Sequence, residues 1–245
     1  MRVLAIFGPT GVGKTGVAVE LAALLRERGE NPVAINCDAL QVYEGMEALT
    51  GTATPTQQAL LEHRLLGIVP VSRDFSVGDY MPLAHAEVDA ALAAGRRPIV
   101  VGGTGLYLRA ALAELSLVKA PPEAEDSELW SPDTRHPTAI FGLDMDRERL
   151  YERIDERVEA IVAAGAVAEV RRAEALGPGR TARKALGFDE LLAGDLEAMK
   201  KRSRNYARRQ LTWMRKIPNL QRIDRTDLDD GEVAAGIAAA LGCRE

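Results

Sequence analysis

Eight consecutive residues, Gly8-Pro9-Thr10-Gly11-Val12-Gly13-Lys14-Thr15, have the spacing GxxxxGK[ST]. The glycines let backbone N–H groups turn inward around phosphate oxygens, Lys14 adds a point charge, and Thr15 can hold Mg²⁺. A helix starting at the loop adds its positive end to the same anion. A nucleotide hydrolase or kinase would complement this loop with an apolar strand ending in Asp, to position the metal and water. Here the apolar run Ile99-Val100-Val101 continues instead into Gly102-Gly103-Thr104. The strand-terminal acid is Asp38, after Val33-Ala34-Ile35-Asn36-Cys37. It suits either a metal-positioning acid or a base beside the phosphate site, and the residues alone leave both roles open.

Two further groups accompany the loop. Gly102-Gly103-Thr104-Gly105-Leu106-Tyr107 permits close backbone approach at a strand-to-helix turn, with Thr104 free to meet a ligand oxygen. Between Lys200 and Arg222 there are nine Lys or Arg and no acid. On a helix over 200–215, Arg204, Arg208, Leu211 and Arg215 share roughly one face. With no acid interleaved, these cations read as unpaired, and together with Tyr206 and Trp213 they suit contact with phosphates and bases.

The surrounding pattern shows what must position these groups. Val3–Phe7, Pro32–Asn36 and 98–101 read as short buried strands; 15–28, 85–94 and 105–115 read as helices. Their alternation predicts an α/β fold, a phosphate-loop-type parallel sheet with helices on both faces. The loop, Asp38 and Thr104 then all reach the carboxyl edge of that sheet, where ligands of such folds bind. Residues 119–137 hold four prolines and an acidic cluster and read as a surface linker. Beyond them the chain reads as mainly helical, with helices over 147–164, 167–176 and 196–215. Residues 1–118, 119–138 and 139–245 are therefore expected to be a core, a linker and a helical C-terminal part.

The chain has 245 residues, 47% of them apolar, with a net charge of −5. That is enough for one large domain with a real core, and the basic stretch can bind phosphate whatever the sum. Two distant cysteines and three scattered histidines argue against structural zinc. Cys37 reads as a buried small side chain, Trp130 as a linker aromatic and His85 as a helix-surface residue. No run approaches the roughly 20 apolar residues of a membrane span, and Val3–Phe7 is too short for a signal sequence. A cytoplasmic monomer is expected.

Taken in order, these motifs resemble those of the tRNA dimethylallyltransferases. The matching stretches are Gly8–Thr15, 36–43 (NCDALQVY), Gly51-Thr52-Ala53, His63-Arg64-Leu65-Leu66, Phe75-Ser76-Val77, Gly102–Tyr107, Leu186-Gly187-Phe188-Asp189-Glu190, Arg204, and Ala207 to Trp213. The resemblance implies that the loop (Gly8, Pro9, Thr10, Gly11, Gly13, Lys14, Thr15) holds the diphosphate of dimethylallyl diphosphate. It implies that Asp38 takes a proton from the adenine N6 amine. Thr104, Arg204, Lys14 and Mg²⁺ on Thr15 would stabilise the departing pyrophosphate. Gln41 would hold the adenine, and Arg208, Arg209 and Gln210 would meet the tRNA. The chain departs from the family in carrying only 119–137 where a helical insertion is usual, Thr54 in place of a lysine and Gly67 in place of an acid. A chain this short is also similar to the isopentenyltransferases that use free AMP, ADP or ATP. Outside prenyl transfer, a small-molecule kinase and a non-catalytic binding module remain alternatives.

Overall fold

The computed structural model describes residues 2–116 and 129–242, so Cys243 and the linker portion 119–128 lie outside the described residues. The strands and helices, in chain order, are β1 (Val3–Phe7), α1 (Lys14–Glu27), β2 (Pro32–Asn36), α2 (Glu47–Thr50), α3 (Pro55–Leu60), β3 (His63–Arg64), α4 (Val77–Ala93), β4 (Arg97–Gly102) and α5 (Gly105–Leu112). Further along come β5 (Thr138–Asp144), α6 (Arg147–Ala163), α7 (Ala166–Ala175), α8 (Phe188–Ala193), α9 (Leu196–Met214), β6 (Leu220–Asp224) and α10 (Asp230–Gly242). The six strands form one parallel sheet in the order β3-β2-β4-β1-β5-β6.

The alternation of side chains along a strand explains why both faces are covered. Val3, Ala5 and Phe7 of β1 enter one apolar cluster with residues of α4, α5 and α9; Leu4 and Ile6 enter the other, with α1 and α10. All five are essentially inaccessible. Side chains of the size of Leu4, Ile6 and Phe7 contribute about 1.5–3 kcal/mol each when fully buried, so β1 anchors both layers. Its carboxyl end thereby holds the phosphate loop over the middle of the sheet.

The C-terminal part is mainly helical, and it also supplies two strands that the sequence patterns did not single out. β5 pairs with β1 in register Val3↔Thr138, and β6 closes the edge against β5. β5 begins straight after proline-rich sequence, which obscures its apolar run. β6, with the sequence LQRID and only partly buried, lacks a clean alternation. Helix α4 starts at Val77 rather than 85. Ser76 and Asp79 form a reciprocal capping box at its N-terminus, and Pro82 inside the helix hides that start from pattern reading. Consequently His85 is not a surface residue: it is buried, and its Nε2 lies 2.8 Å from the Ala110 carbonyl. Cys37 is buried and unbridged. Trp130 packs against Trp213 with ring centroids 5.0 Å apart. Among the described residues no helix is long and apolar enough to cross a membrane.

Candidate active site

The phosphate loop joins β1 to α1, with Gly13 at φ 90° as the residue preceding the helix. This left-handed conformation suits glycine alone among common residues, and it turns the chain so that α1 begins at Lys14. Three long side chains from the C-terminal part grip the loop. Arg153 Nε donates to the Gly11 carbonyl at 2.9 Å, Arg225 Nη1 donates to the Val12 carbonyl at 2.8 Å, and the Thr10 amide donates to Gln210 Oε1 at 2.8 Å. Lys14 Nζ donates to the Pro9 carbonyl at 2.9 Å. Burial lowers the Lys14 ammonium to about 8, with the Asp38 charge opposing the shift and the Arg157 charge adding to it.

Asp38 sits just beyond β2, in a turn built by a buried asparagine. Asn36 Oδ1 accepts from the Asp38 amide at 3.0 Å, while its Nδ2 donates to the carbonyls of Asp38 and Leu65. Tyr80 fixes the Asn36 carbonyl from below with a 2.8 Å hydrogen bond. Asp38 Oδ1 accepts from the Leu40 amide at 3.0 Å. The next turn of the sheet edge lies alongside: the Ala39 amide donates to Thr104 Oγ1 at 3.4 Å.

Between the phosphate loop, this turn, α2, α6 and α9 lies a cavity of about 520 Å³. Its polar side chains include Lys14, Thr15, Asp38, Gln41, Arg157 and Tyr206. Helix α6 presents a graded face to it, with Arg153 and Arg157 nearer the loop and then Val158 and Ile161. Leu40, Leu49, Leu186 and Met199 add to the apolar portion. Arg157 Nη2 donates to the Thr50 carbonyl at 3.1 Å, and Gln41 Nε2 donates to the Thr50 and Gly51 carbonyls at 3.3 Å each. Burial pulls the Arg157 guanidinium down from its usual range, and the Asp38 charge partly restores it. A cationic, loop-lined end facing a carboxylate and an aliphatic portion suits a substrate with a polyphosphate head and a short apolar tail.

Residues 41–136 and 119–217 match the family described as IPP transferase. The chain belongs to that family. It is 34% identical to the tRNA dimethylallyltransferase of Pseudarthrobacter chlorophenolicus, covering 97% of this chain and 98% of that protein. With the tRNA dimethylallyltransferase of Rhodospirillum centenum it shares 36% identity, with 92% of each covered. The first of these alignments spans 298 positions against a chain of 245, so that relative carries stretches with no counterpart here. In structure the chain is similar to the full-length tRNA isopentenylpyrophosphate transferase of Bacillus halodurans, with a TM-score of 0.83 and 28% identity over 98% of this chain and 97% of that one. A eukaryotic dimethylallyltransferase acting on tRNA shares the fold, with a TM-score of 0.76 at 20% identity, covering 100% of this chain and 80% of that one.

As a member of the IPP transferase family, the chain brings Asp38, Gln41, Gln210 and most of the phosphate loop together around the cavity, whereas Thr104, Arg204, Arg208 and Arg209 do not line it. Gln210 lines the cavity but is largely buried, and both ends of its amide are engaged by the protein. Its Oε1 takes the Thr10 amide and its Nε2 donates to the Gly103 carbonyl at 2.8 Å. A Cβ on Gly103 would strike that amide and lie 2.9 Å from the Gly8 carbonyl, so Gln210 clamps two loops that nearly touch. Arg204 does not line the cavity; its Nη1 meets both carboxylate oxygens of Asp155 at 2.7 and 2.6 Å. Thr104 does not line it either, although Tyr206, whose hydroxyl lies 3.4 Å away, does.

The cations of the basic stretch are also less solitary than their sequence implied. Acids from other elements pair them: Lys200 with Glu159, Arg202 with Glu190, and Arg222 with Asp144. Arg208 and Arg209 remain exposed on α9. Arg208 bonds Asn205, and the Arg209 guanidinium stands over the Tyr206 ring at 5.5 Å. Sequence reasoning missed Arg153 and Arg157 because α6 is rich in both charges and resembles a solvated helix. The signal was their i, i+4 spacing beside Ile154, Val158 and Ile161, which are buried.

Proposed function

We propose that this protein transfers a dimethylallyl group from dimethylallyl diphosphate to the N6 amine of an adenosine beside the anticodon of tRNA, releasing pyrophosphate. One observation carries the reading: a single cavity in an IPP transferase fold holds the phosphate loop, the Asp38 carboxylate and an aliphatic portion of α6 and α9. The tRNA dimethylallyltransferases that the chain matches supply the acceptor.

The backbone N–H groups of the loop, Lys14 and Arg157 bind the diphosphate, and the Val158 and Ile161 face receives the prenyl tail. Asp38 accepts the N6 proton as the nitrogen bonds the allylic carbon and the carbon–oxygen bond to diphosphate breaks. Negative charge then grows on the leaving pyrophosphate, where the half-buried cations oppose it in a site of reduced dielectric. Arg204 acts at one remove, since its partner Asp155 lies two residues before Arg157 on α6. Gln41 borders the cavity where an adenine extruded from the anticodon loop would enter. Arg208 and Arg209, exposed on α9, meet tRNA phosphates.

Among the described residues no group of three His, Cys, Asp or Glu side chains could hold a metal alone. Mg²⁺ needs less, because it is commonly held by one or two protein oxygens together with substrate phosphates. Thr15 at the start of α1 fits that role, and Mg²⁺ there would offset diphosphate charge. Residues 119–138 take the place of the family's helical insertion, which reduces the grip on RNA. The protein works as a monomer in the cytoplasm. Purified protein with Mg²⁺ and radiolabelled dimethylallyl diphosphate is expected to label unmodified tRNA, and AMP far less. Label on AMP alone would overturn the tRNA acceptor; ATP consumption without prenyl transfer would replace the reading with a kinase.

A further inference from the structure

The cavity wall supplied by α9 carries a hydroxyl that the roles above do not use. Tyr206 lines the cavity, and its Oη lies 3.4 Å from Thr104 Oγ1. Thr104 Oγ1 in turn accepts from the Ala39 amide at 3.4 Å. A backbone N–H can only donate, so Thr104 Oγ1 is the acceptor of this contact and keeps its own proton to give. Either hydroxyl can donate across the 3.4 Å contact, and the arrangement in which Thr104 donates to Tyr206 Oη is the one that holds the phenol oxygen. A phenol has one proton and an accepting oxygen. In that arrangement the Tyr206 proton is free to be donated into the cavity that the residue lines.

The position on α9 says what that proton meets. Tyr206 lies four residues before Gln210, one helical turn along the same face, and Gln210 is bonded to Thr10 of the phosphate loop. Tyr206 therefore leaves α9 one turn from the residue that holds the loop, and its hydroxyl reaches Thr104 at the sheet edge and feels the charge of Asp38. Arg209 over the ring holds its orientation from the solvent side. Burial and the Asp38 charge both push the phenol up, so it stays neutral and donates rather than abstracts.

We propose that Tyr206 is a catalytic residue that donates a hydrogen bond to an oxygen of the departing diphosphate, aimed by Thr104 and the Ala39 amide. The assignment rests on the prenyl-transfer reading. It makes Thr104 a positioning residue: its effect on the reaction passes through the phenol. Hydrogen bonds of this length commonly shorten once a substrate binds. A neutral donor aimed where charge develops favours the transition state over the ground state, so it acts on kcat more than on substrate affinity.

A double-mutant cycle decides it. Tyr206→Phe, Thr104→Val and the double variant are assayed for prenyl transfer to tRNA. The same proteins are titrated calorimetrically with inorganic pyrophosphate and Mg²⁺, and their Tm values are compared with wild type. Tyr206→Phe is expected to lower kcat roughly 100-fold, the low end of the range seen for a single lost donor of this kind, with KM for tRNA unchanged. Thr104→Val should lower it less, Thr104→Ser should restore it, and Thr104→Val should add nothing once Tyr206 is Phe. Pyrophosphate affinity should fall several-fold with the same lack of additivity. A kcat for Tyr206→Phe within twofold of wild type, or a full extra loss from Thr104→Val in the Phe background, would overturn the proposal. Should wild type transfer no prenyl group, the functional reading fails, and the pyrophosphate cycle still decides the role of Tyr206.

Discussion

Two sets of cations serve this molecule in opposite settings. Lys14 and Arg157 are half-buried around the cavity, each bonded to a backbone carbonyl and each feeling the charge of Asp38. Arg208 and Arg209 stand in solvent on α9, near a side-chain amide and a tyrosine ring. Charges in the first set act at reduced effective dielectric and are held before the ligand arrives; those in the second are screened by salt within roughly 10 Å. The half-buried set suits a small, highly charged leaving group. The exposed set suits a long polyanion gripped through many weak contacts.

If that division is right, substitutions should separate into two classes. The largest effect is expected from Asp38→Ala, which faces the half-buried set: a fall in kcat of about 10³-fold, within the span of general-base contributions. Dimethylallyl diphosphate binding, followed by calorimetry, should stay nearly intact. Next is Arg157→Leu, expected to weaken dimethylallyl diphosphate roughly 10–100-fold, as the loss of about 1.5–3 kcal/mol from a charged hydrogen bond implies. Arg204→Ala should cost less than Arg157→Leu in the same titration; an equal or larger loss would move Arg204 into the cavity set.

The pH dependence sharpens the contrast further. Below about 8 the free protein already carries the Lys14 proton, so diphosphate binds without proton uptake. Above that value binding must take up a proton, and affinity should drop by about tenfold per pH unit at most. Pyrophosphate titrations from about two units below to about two units above neutrality of Lys14 would show it. A flat profile would mean that Lys14 is not the charge that matters. The smallest effect belongs to the exposed set. Arg208→Ala with Arg209→Ala should raise KM for tRNA several-fold. It should also reduce the slope of log K against log salt by about 0.9 for each phosphate left without its cation, or about 0.7 on single-stranded loop RNA. Dimethylallyl diphosphate affinity should not change.

How much of this was legible beforehand follows the range of the interactions. The phosphate loop, β1, β2 and β4 are local: a glycine spacing or a short apolar run specifies each, and the structure places them where those patterns lie. Asp38 was legible as the acid at the end of a buried strand. Arg157 was not, because its importance comes from α6 being laid across the loop, which no local pattern states. Gln210 shows the same limit from the other side. Its place in a basic run suggested RNA, whereas its two amide bonds join loops that lie 107 and 200 positions away in sequence. Pairing of Lys200, Arg202 and Arg222 was hidden for the same reason, since their acids belong to other elements.

The grip of Arg153, Gln210 and Arg225 on the phosphate loop bears on how the protein comes into being. The loop leaves the ribosome well ahead of Arg153, Gln210 and Arg225, the side chains that satisfy its amide and carbonyls. A nascent N-terminal fragment would hold those polar groups open to water, and α1 would lack the cover of α10. Donor capture should therefore switch on late in translation, and a ribosome stalled before residue 225 should display a chain that cannot retain pyrophosphate.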